Sequence, residues 1–312
     1  MSKRIALMLP GQGSQYVGMG AELVAGDPTI QRLYEEADDI LGYSLSRVCH
    51  EGPEDELRRT ENAQPAILLH SYAVWRSIPA EIRASVVVAA GHSLGEFSAW
   101  LAAGSFTFPD ALRTVRRRGE LMAIAGKERP GTMAAVLGLD PEVVAETCIA
   151  VTAGICVPAN FNAPGQVVIS GDERGVNAAS AAALEAGARR VVPLSVSGAF
   201  HSPLMSTARL GLQATLADIE LADPNFPVVA NASAEPVTDE VTGRALLVEQ
   251  LTSPVRWVES ISKMESFEPD LWIELGPGAV LTGLLRRIER RRPVAKADSP
   301  AEIKTLVEAF DG

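Results

Sequence analysis

The hydrophobic positions of this chain follow two rhythms, and the change between them falls near residue 130. In the first stretch, short apolar runs alternate with helical stripes. Ile5-Ala6-Leu7-Met8-Leu9 and Ser85-Val86-Val87-Val88-Ala89-Ala90 have almost no polar positions, which predicts strands covered on both faces. Between them Ile30, Leu33, Tyr34, Ala37, Ile40 and Leu41 share one helical face. Asp27 is placed to cap that helix with Pro28 as its first residue, and Gly42 lies just past its end. A helix from Pro65 to about Arg76 is apolar nearly all round and should be buried. His70 inside it reads as a satisfied core histidine, and His50, ahead of Glu51-Gly52-Pro53, as a loop residue.

From about residue 130 the elements shorten. Thr132–Leu137 reads as a strand, Pro141–Cys148 as a helix opened by Asp140, and Gly154–Phe161 as a strand. A turn at Ala163-Pro164-Gly165, a strand Gln166–Ser170, a helix Asp172–Ala186 and a strand Arg189–Leu194 follow. The order βαββαβ is that of a ferredoxin-like unit, here set inside a larger domain. After Ser195 strands return among helices, at Pro227–Asn231 and Asp270–Glu274. Gly276-Pro277-Gly278 then opens a helix through Val280, Leu281, Leu284, Leu285 and Ile288 and lacks the Gly-Lys-Ser/Thr ending of a phosphate loop. The fold class is therefore α/β, with residues 1–128 and 197–312 as a large domain and 129–196 as a ferredoxin-like small domain.

Composition narrows the function classes. At 312 residues, 47% hydrophobic and 21% charged, the chain reads as globular, and no apolar run is long enough to span a bilayer. Met1-Ser2-Lys3-Arg4 runs straight into a strand rather than a secretory signal, so the expected location is cytoplasmic. A formal net charge of −11 argues against general nucleic-acid binding. Arginines do cluster at Arg113 and Arg116-Arg117-Arg118, and at Arg286-Arg287 and Arg290-Arg291-Arg292. Such runs are solvated helix faces or, less often, docking patches for an acidic partner. Cys49, Cys148 and Cys156 have neither disulfide nor zinc-site spacing and read as small buried hydrophobes, so no metal is expected.

The chemistry centres on Gly91-His92-Ser93-Leu94-Gly95, which sits between the second strand and a helix read over Glu96–Ala103. Strand, Gly-x-Ser-x-Gly and helix in that order make a nucleophile elbow, with Ser93 exposed at the tip. The Leu94 N–H then faces whatever carbonyl Ser93 attacks. Serine needs a base. His92 should point away, and with His50 and His70 set aside, elimination leaves His201 in Ser197-Gly198-Ala199-Phe200-His201-Ser202-Pro203. No carboxylate announces itself as a third member, so a carbonyl orients the histidine or the dyad works alone. In the helix read over Pro109–Ala125, Arg118 shares the inward stripe of Ala111, Val115 and Met122. A buried guanidinium needs an anion, either a native carboxylate or a substrate's. Gly11-Gln12-Gly13-Ser14-Gln15 follows the first strand as the elbow follows its own, and the Gln12 N–H is available as a second oxyanion donor.

Together these segments resemble the malonyl-CoA:acyl-carrier-protein transacylases and the related acyltransferase domains of polyketide synthases. The resemblance covers essentially the whole chain. It runs through Leu9-Pro10-Gly11-Gln12-Gly13-Ser14-Gln15, Gln64-Pro65-Ala66, the elbow with Glu96, and Arg118-Gly119-Glu120-Leu121-Met122. It continues through Asn160-Phe161-Asn162-Ala163-Pro164-Gly165-Gln166, Ala199-Phe200-His201-Ser202-Pro203, Pro254-Val255-Arg256-Trp257 and Glu274-Leu275-Gly276-Pro277-Gly278. The resemblance implies a hydrolase-like α/β core beside the ferredoxin-like unit, with the site between them. It implies Ser93 as acylated nucleophile, His201 as base and acid, Arg118 as carboxylate clamp, and Gln12 with Leu94 as oxyanion hole. Gln250 would orient His201 through its backbone carbonyl, Asn160 would line the site, and Phe200 would disfavour an α-methyl branch. Malonyl-CoA and acyl carrier protein would be substrate and partner, coenzyme A entering only as a thioester and no bound cofactor being needed. A trans-acting polyketide acyltransferase, a serine thioesterase and a non-catalytic scaffold are the rival readings.

Overall fold

In the computed structural model, described here for residues 3–311, the strands form two sheets. The strands are β1 (Ile5–Leu9), β2 (Val86–Gly91), β3 (Thr132–Leu137), β4 (Cys156–Ala163), β5 (Gln166–Gly171), β6 (Arg190–Pro193), β7 (Val228–Val229), β8 (Pro236–Val237), β9 (Leu271–Leu275) and β10 (Val294–Ala297). The first sheet runs β10-β9-β1-β2-β7-β8 and is parallel except for the β7–β8 pair. Helices cover both of its faces, which is why β1 carries no polar residue. Ile5, Leu7 and Leu9 enter one core, with Ile67, Phe97 and Trp100, while Ala6 and Met8 enter the other, with Trp257 and Trp272.

The second sheet takes all its strands from Thr132–Pro193, in the antiparallel order β4-β5-β3-β6. Helices Pro141–Ala150 and Glu173–Glu185 connect them, which completes βαββαβ. The period of two divides its side chains cleanly. Ala134, Val136, Val167 and Ile169 pack under the two helices, whereas Met133 and Val168 on the opposite face join the main core. Backbone hydrogen bonds between β4 and Val255, Phe161 N–H to Val255 O (2.9 Å) and Val255 N–H to Ala159 O (2.8 Å), tie the two units together.

Several expectations shift. The helix read from Pro65 begins at Thr60 and runs to Ser77 with Pro65 inside it. Proline removes the donor that the Glu61 carbonyl would have used, and Arg116 Nη1 supplies a replacement at 2.9 Å. His50 lies in the last turn of helix Leu45–Glu51 rather than in a loop. His70 is buried, between Asp298 (2.6 Å) and Tyr34 (3.2 Å). The strand read over Pro227–Asn231 keeps only Val228–Val229, because Asn231 leaves the ladder for the elbow. Strands β8 and β10, at two and four residues, are too short to announce a period. All three cysteines are buried. Among the described residues no helix is long and apolar enough to cross a membrane, and no cluster of His, Cys, Asp or Glu is arranged to hold a metal ion.

Candidate active site

The elbow forms where β2 leaves the C-terminal edge of the parallel sheet, the usual place for a site in such a sheet. Ser93 sits at φ 52°, ψ −105°, a conformation that non-glycine residues avoid. Its surroundings hold it there. A β-carbon on Gly91 would fall inside the Gly95 carbonyl, and one on Gly95 inside the Leu9 carbonyl, so strand, turn and helix touch backbone to backbone. Gly91→Ala should therefore destabilise the fold by about 1–3 kcal/mol or more through overpacking, read as a lowered Cm in urea at unchanged m. An unchanged midpoint would mean that the elbow is looser than this. Gly11 meets the His92 carbonyl in the same way, which locks the Gln12 loop against the elbow.

Ser93 Oγ lies 2.8 Å from His201 Nε2. His201 also has positive φ, 56°. Its Nδ1 lies 2.9 Å from the Gln250 carbonyl and 3.1 Å from that of Ser253. Both acceptors lack hydrogens, so Nδ1 must carry the proton and Nε2 is free to accept from Ser93. Two carbonyls occupy the place of the usual carboxylate. Complete burial, reinforced by Arg118, pushes His201 down to about 3 from its ordinary 6.5, so it is neutral at physiological pH. The rate at which an uncharged sulfonyl fluoride modifies Ser93 should thus hold steady as pH falls through 6.5 and drop only in stronger acid. An acid limb at the ordinary histidine value would contradict that environment.

Arg118 is only 1% exposed and aims its fork into the site from helix Phe108–Glu128. Nη1 donates to Gln64 Oε1 at 2.7 Å, while Nη2 donates to Gln250 Oε1 at 2.8 Å and to Ser93 Oγ at 3.2 Å. No carboxylate touches it among the described residues; its direct partners, Ser93 included, are neutral oxygens. Arg113 and Arg117, by contrast, are exposed.

A cavity of about 320 Å³ opens over these groups. Gln12, Leu94, Asn160, Phe200, Ser93, His201 and Arg118 all line it, as do Met133 and the Leu194-Ser195-Val196 segment, so both sheets' segments enclose it. Leu94 opens the helix Leu94–Ala102, whose first N–H groups have no intrahelical acceptor and favour negative charge. The Gln12 side chain accepts from Thr60 Oγ1 at 2.9 Å. His92 turns toward Asn162 (2.8 Å) and the Trp257 ring.

Sequence reasoning missed three supports. Asn231 clamps the elbow, accepting from Ser93 N–H at 2.7 Å and donating to the Gly91 carbonyl at 2.7 Å. Gln64 holds one arm of Arg118, and the Gln250 side chain holds the other. A lone amide carries no periodic signal. Gln64 lay just ahead of the apolar helix read from Pro65 and so carried no face of its own.

Fold and site together define an acyltransferase of the α/β class. The acyl transferase domain family matches residues 7–305. The chain is 44% identical to the malonyl CoA-acyl carrier protein transacylase of Bacillus subtilis, over 99% of this chain and 98% of that protein. It is 40% identical to the enzyme of the same name from Escherichia coli K12, over 98% and 99%. Among solved structures, an acyl-carrier-protein S-malonyltransferase from Bartonella henselae superposes with a TM-score of 0.93 at 39% identity, covering 99% of this chain and 100% of that one. A malonyl-transacylase in complex with its type II polyketide-synthase acyl-carrier protein gives 0.93 at 40% identity, covering 98% and 99%. The chain belongs to the malonyl-CoA:acyl-carrier-protein transacylase family.

Proposed function

We propose that this enzyme moves a malonyl group from coenzyme A to the phosphopantetheine thiol of acyl carrier protein through a malonyl ester on Ser93, supplying fatty-acid biosynthesis. The carrying observation is Arg118, a buried guanidinium 3.2 Å from the nucleophile with no carboxylate partner. An acyl group that ends in a carboxylate gives the fork a direct ionic partner, which a plain acyl chain does not.

The chemistry is ping-pong. Ser93 Oγ attacks the thioester carbonyl as its proton passes to His201 Nε2, and the Gln250 and Ser253 carbonyls stabilise the resulting imidazolium through Nδ1–H. Negative charge gathers on the former carbonyl oxygen, which the N–H groups of Leu94 and Gln12 receive. The C–S bond breaks, and His201 returns the proton to the departing thiolate. The carrier thiol then gives its proton to His201 and attacks malonyl-Ser93; the ester C–O bond breaks, His201 returns that proton to Ser93 Oγ, and the carrier leaves as its malonyl thioester. Phe200, in the cavity wall beside His201, disfavours an α-methyl branch. Residues 129–196 are read as a domain inserted between 1–128 and 197–312, which supports placing the acyl group in the crevice between them.

Incubation with malonyl-CoA should add one malonyl mass to the peptide that contains Ser93, and addition of holo carrier protein should remove it as malonyl-carrier. Release of free malonate at the same rate with and without carrier would favour a thioesterase instead. Preference for a polyketide carrier over a fatty-acid carrier would reassign the pathway and leave the chemistry intact.

A further inference from the structure

Glu96 is an acid at the site that the chemistry above leaves unused. It lies in the first turn of the helix after the elbow and is 0% exposed. Its Oε2 accepts two hydrogen bonds, from Asn231 N–H at 3.0 Å and from Gln250 Nε2 at 2.7 Å. Its Oε1 is buried with no hydrogen-bond partner. The Gln250 amide carries the contact onward, since its Oε1 accepts from Arg118 Nη2 at 2.8 Å. One side-chain amide thus bridges a buried acid and a buried cation that do not touch.

This geometry has two effects. Both donors converge on Oε2, so a proton can sit on Oε1 and neither bond is broken. The group can change charge without rearrangement. A guanidinium removed from water also needs a compensating charge nearby. Glu96 is the acid whose field bears on Arg118, and burial pushes Glu96 up to about 7 against the opposing pull of Asn231, Gln250 and Arg118. The other elements around it contribute little charge. Helix Thr60–Ser77 turns Gln64 to the site while its His70 is engaged with Asp298, β1, β2 and β7 have no titratable residue, and His201 is neutral.

We propose that Glu96 balances the charge of Arg118 in the empty site and takes a proton from solvent when an acyl carboxylate occupies that guanidinium. The inference rests on the function proposed above. Acylation itself is proton-neutral: the Oγ–C bond forms, the C–S bond breaks, and the seryl proton leaves on the thiol. Any ionisation of the released thiol is the same for every acyl group. A second carboxylate beside Arg118 raises the affinity of Glu96 for a proton, so uptake is confined to the window between its values in the free and the malonyl enzyme.

Loading can be followed by calorimetry in two buffers of different ionisation enthalpy, with mass spectrometry to confirm the adduct. Malonyl-CoA should drive more proton uptake than acetyl-CoA. The excess should approach one proton per site somewhat above neutrality and fade below about pH 6, where Glu96 is already protonated before loading. In Glu96→Gln, malonyl loading should proceed without the excess. Difference infrared spectra of the wild type should show a new protonated carboxylic-acid band on malonyl loading, which identifies the acceptor even if the variant loads too slowly. Equal uptake for both acyl groups, an excess that survives in Glu96→Gln, or an imidazolium signature in place of the acid band would overturn the proposal. Absence of a malonyl adduct would sink the functional reading and this inference with it, whereas an adduct without excess uptake sinks the inference alone.

Discussion

Ser93→Ala should leave every peptide at its unmodified mass after exposure to malonyl-CoA and lower transfer to carrier protein on the order of 10⁴–10⁶-fold. The site offers no substitute nucleophile in the same place. His201, the nearest group, holds its Nδ1 proton against two carbonyls and faces the cavity only through Nε2. His201→Ala should slow Ser93 acylation by about 10²–10⁴-fold, because the hydroxyl would have to be deprotonated without a base. The two residues act as a unit, so the double variant should be scarcely worse than Ser93→Ala alone. Additive losses would mean that His201 does something other than activate Ser93. Urea midpoints close to wild type would show that lost folding is not the cause.

The second large effect concerns acyl selectivity. Losing a charge-assisted hydrogen-bonded pair costs about 1.5–3 kcal/mol, so Arg118→Ala should lower kcat/KM for malonyl-CoA roughly ten- to a hundredfold. Acetyl-CoA has no carboxylate to lose, and its rate should fall far less. Some loss on both is expected, since the variant strands the Gln64 and Gln250 oxygens that Arg118 now satisfies. The informative quantity is therefore the malonyl-to-acetyl ratio and not either rate. Arg118→Lys keeps a charge but gives up the fork that reaches Gln64, Gln250 and Ser93 at once, and should recover only part of the ratio. Equal losses on both substrates would remove the clamp from the mechanism.

The parts of the fold legible in the sequence are those whose signal is local. β1 and β2 are unbroken apolar runs because both sheet faces are covered, and the βαββαβ unit shows the alternation of a sheet whose two faces meet different cores. Capping at Asp27 and Gly42 was legible for the same reason, since the side-chain and backbone partners lie within a turn. Where a distant residue rescued a local fault, reading failed. Pro65 looks like a helix start until Arg116 supplies the missing donor for Glu61, and Asn231 looks like the end of a strand until its bonds to the elbow are seen.

For the site, the chain by itself determined the elbow at Ser93, the inward face that carries Arg118 and the small-residue segment that leads to His201, because glycine spacing and helical period are properties of neighbouring residues. Only the tertiary structure decided that His201 reaches Ser93 across 108 positions, that carbonyls of Gln250 and Ser253 stand where a carboxylate was sought, and that Glu96 faces Arg118 through an amide. Those relations depend on the order in which the strands enter the sheets. A parallel sheet brings its C-terminal edges together whatever the length of chain between them, so the distances that matter for chemistry leave no trace in sequence spacing.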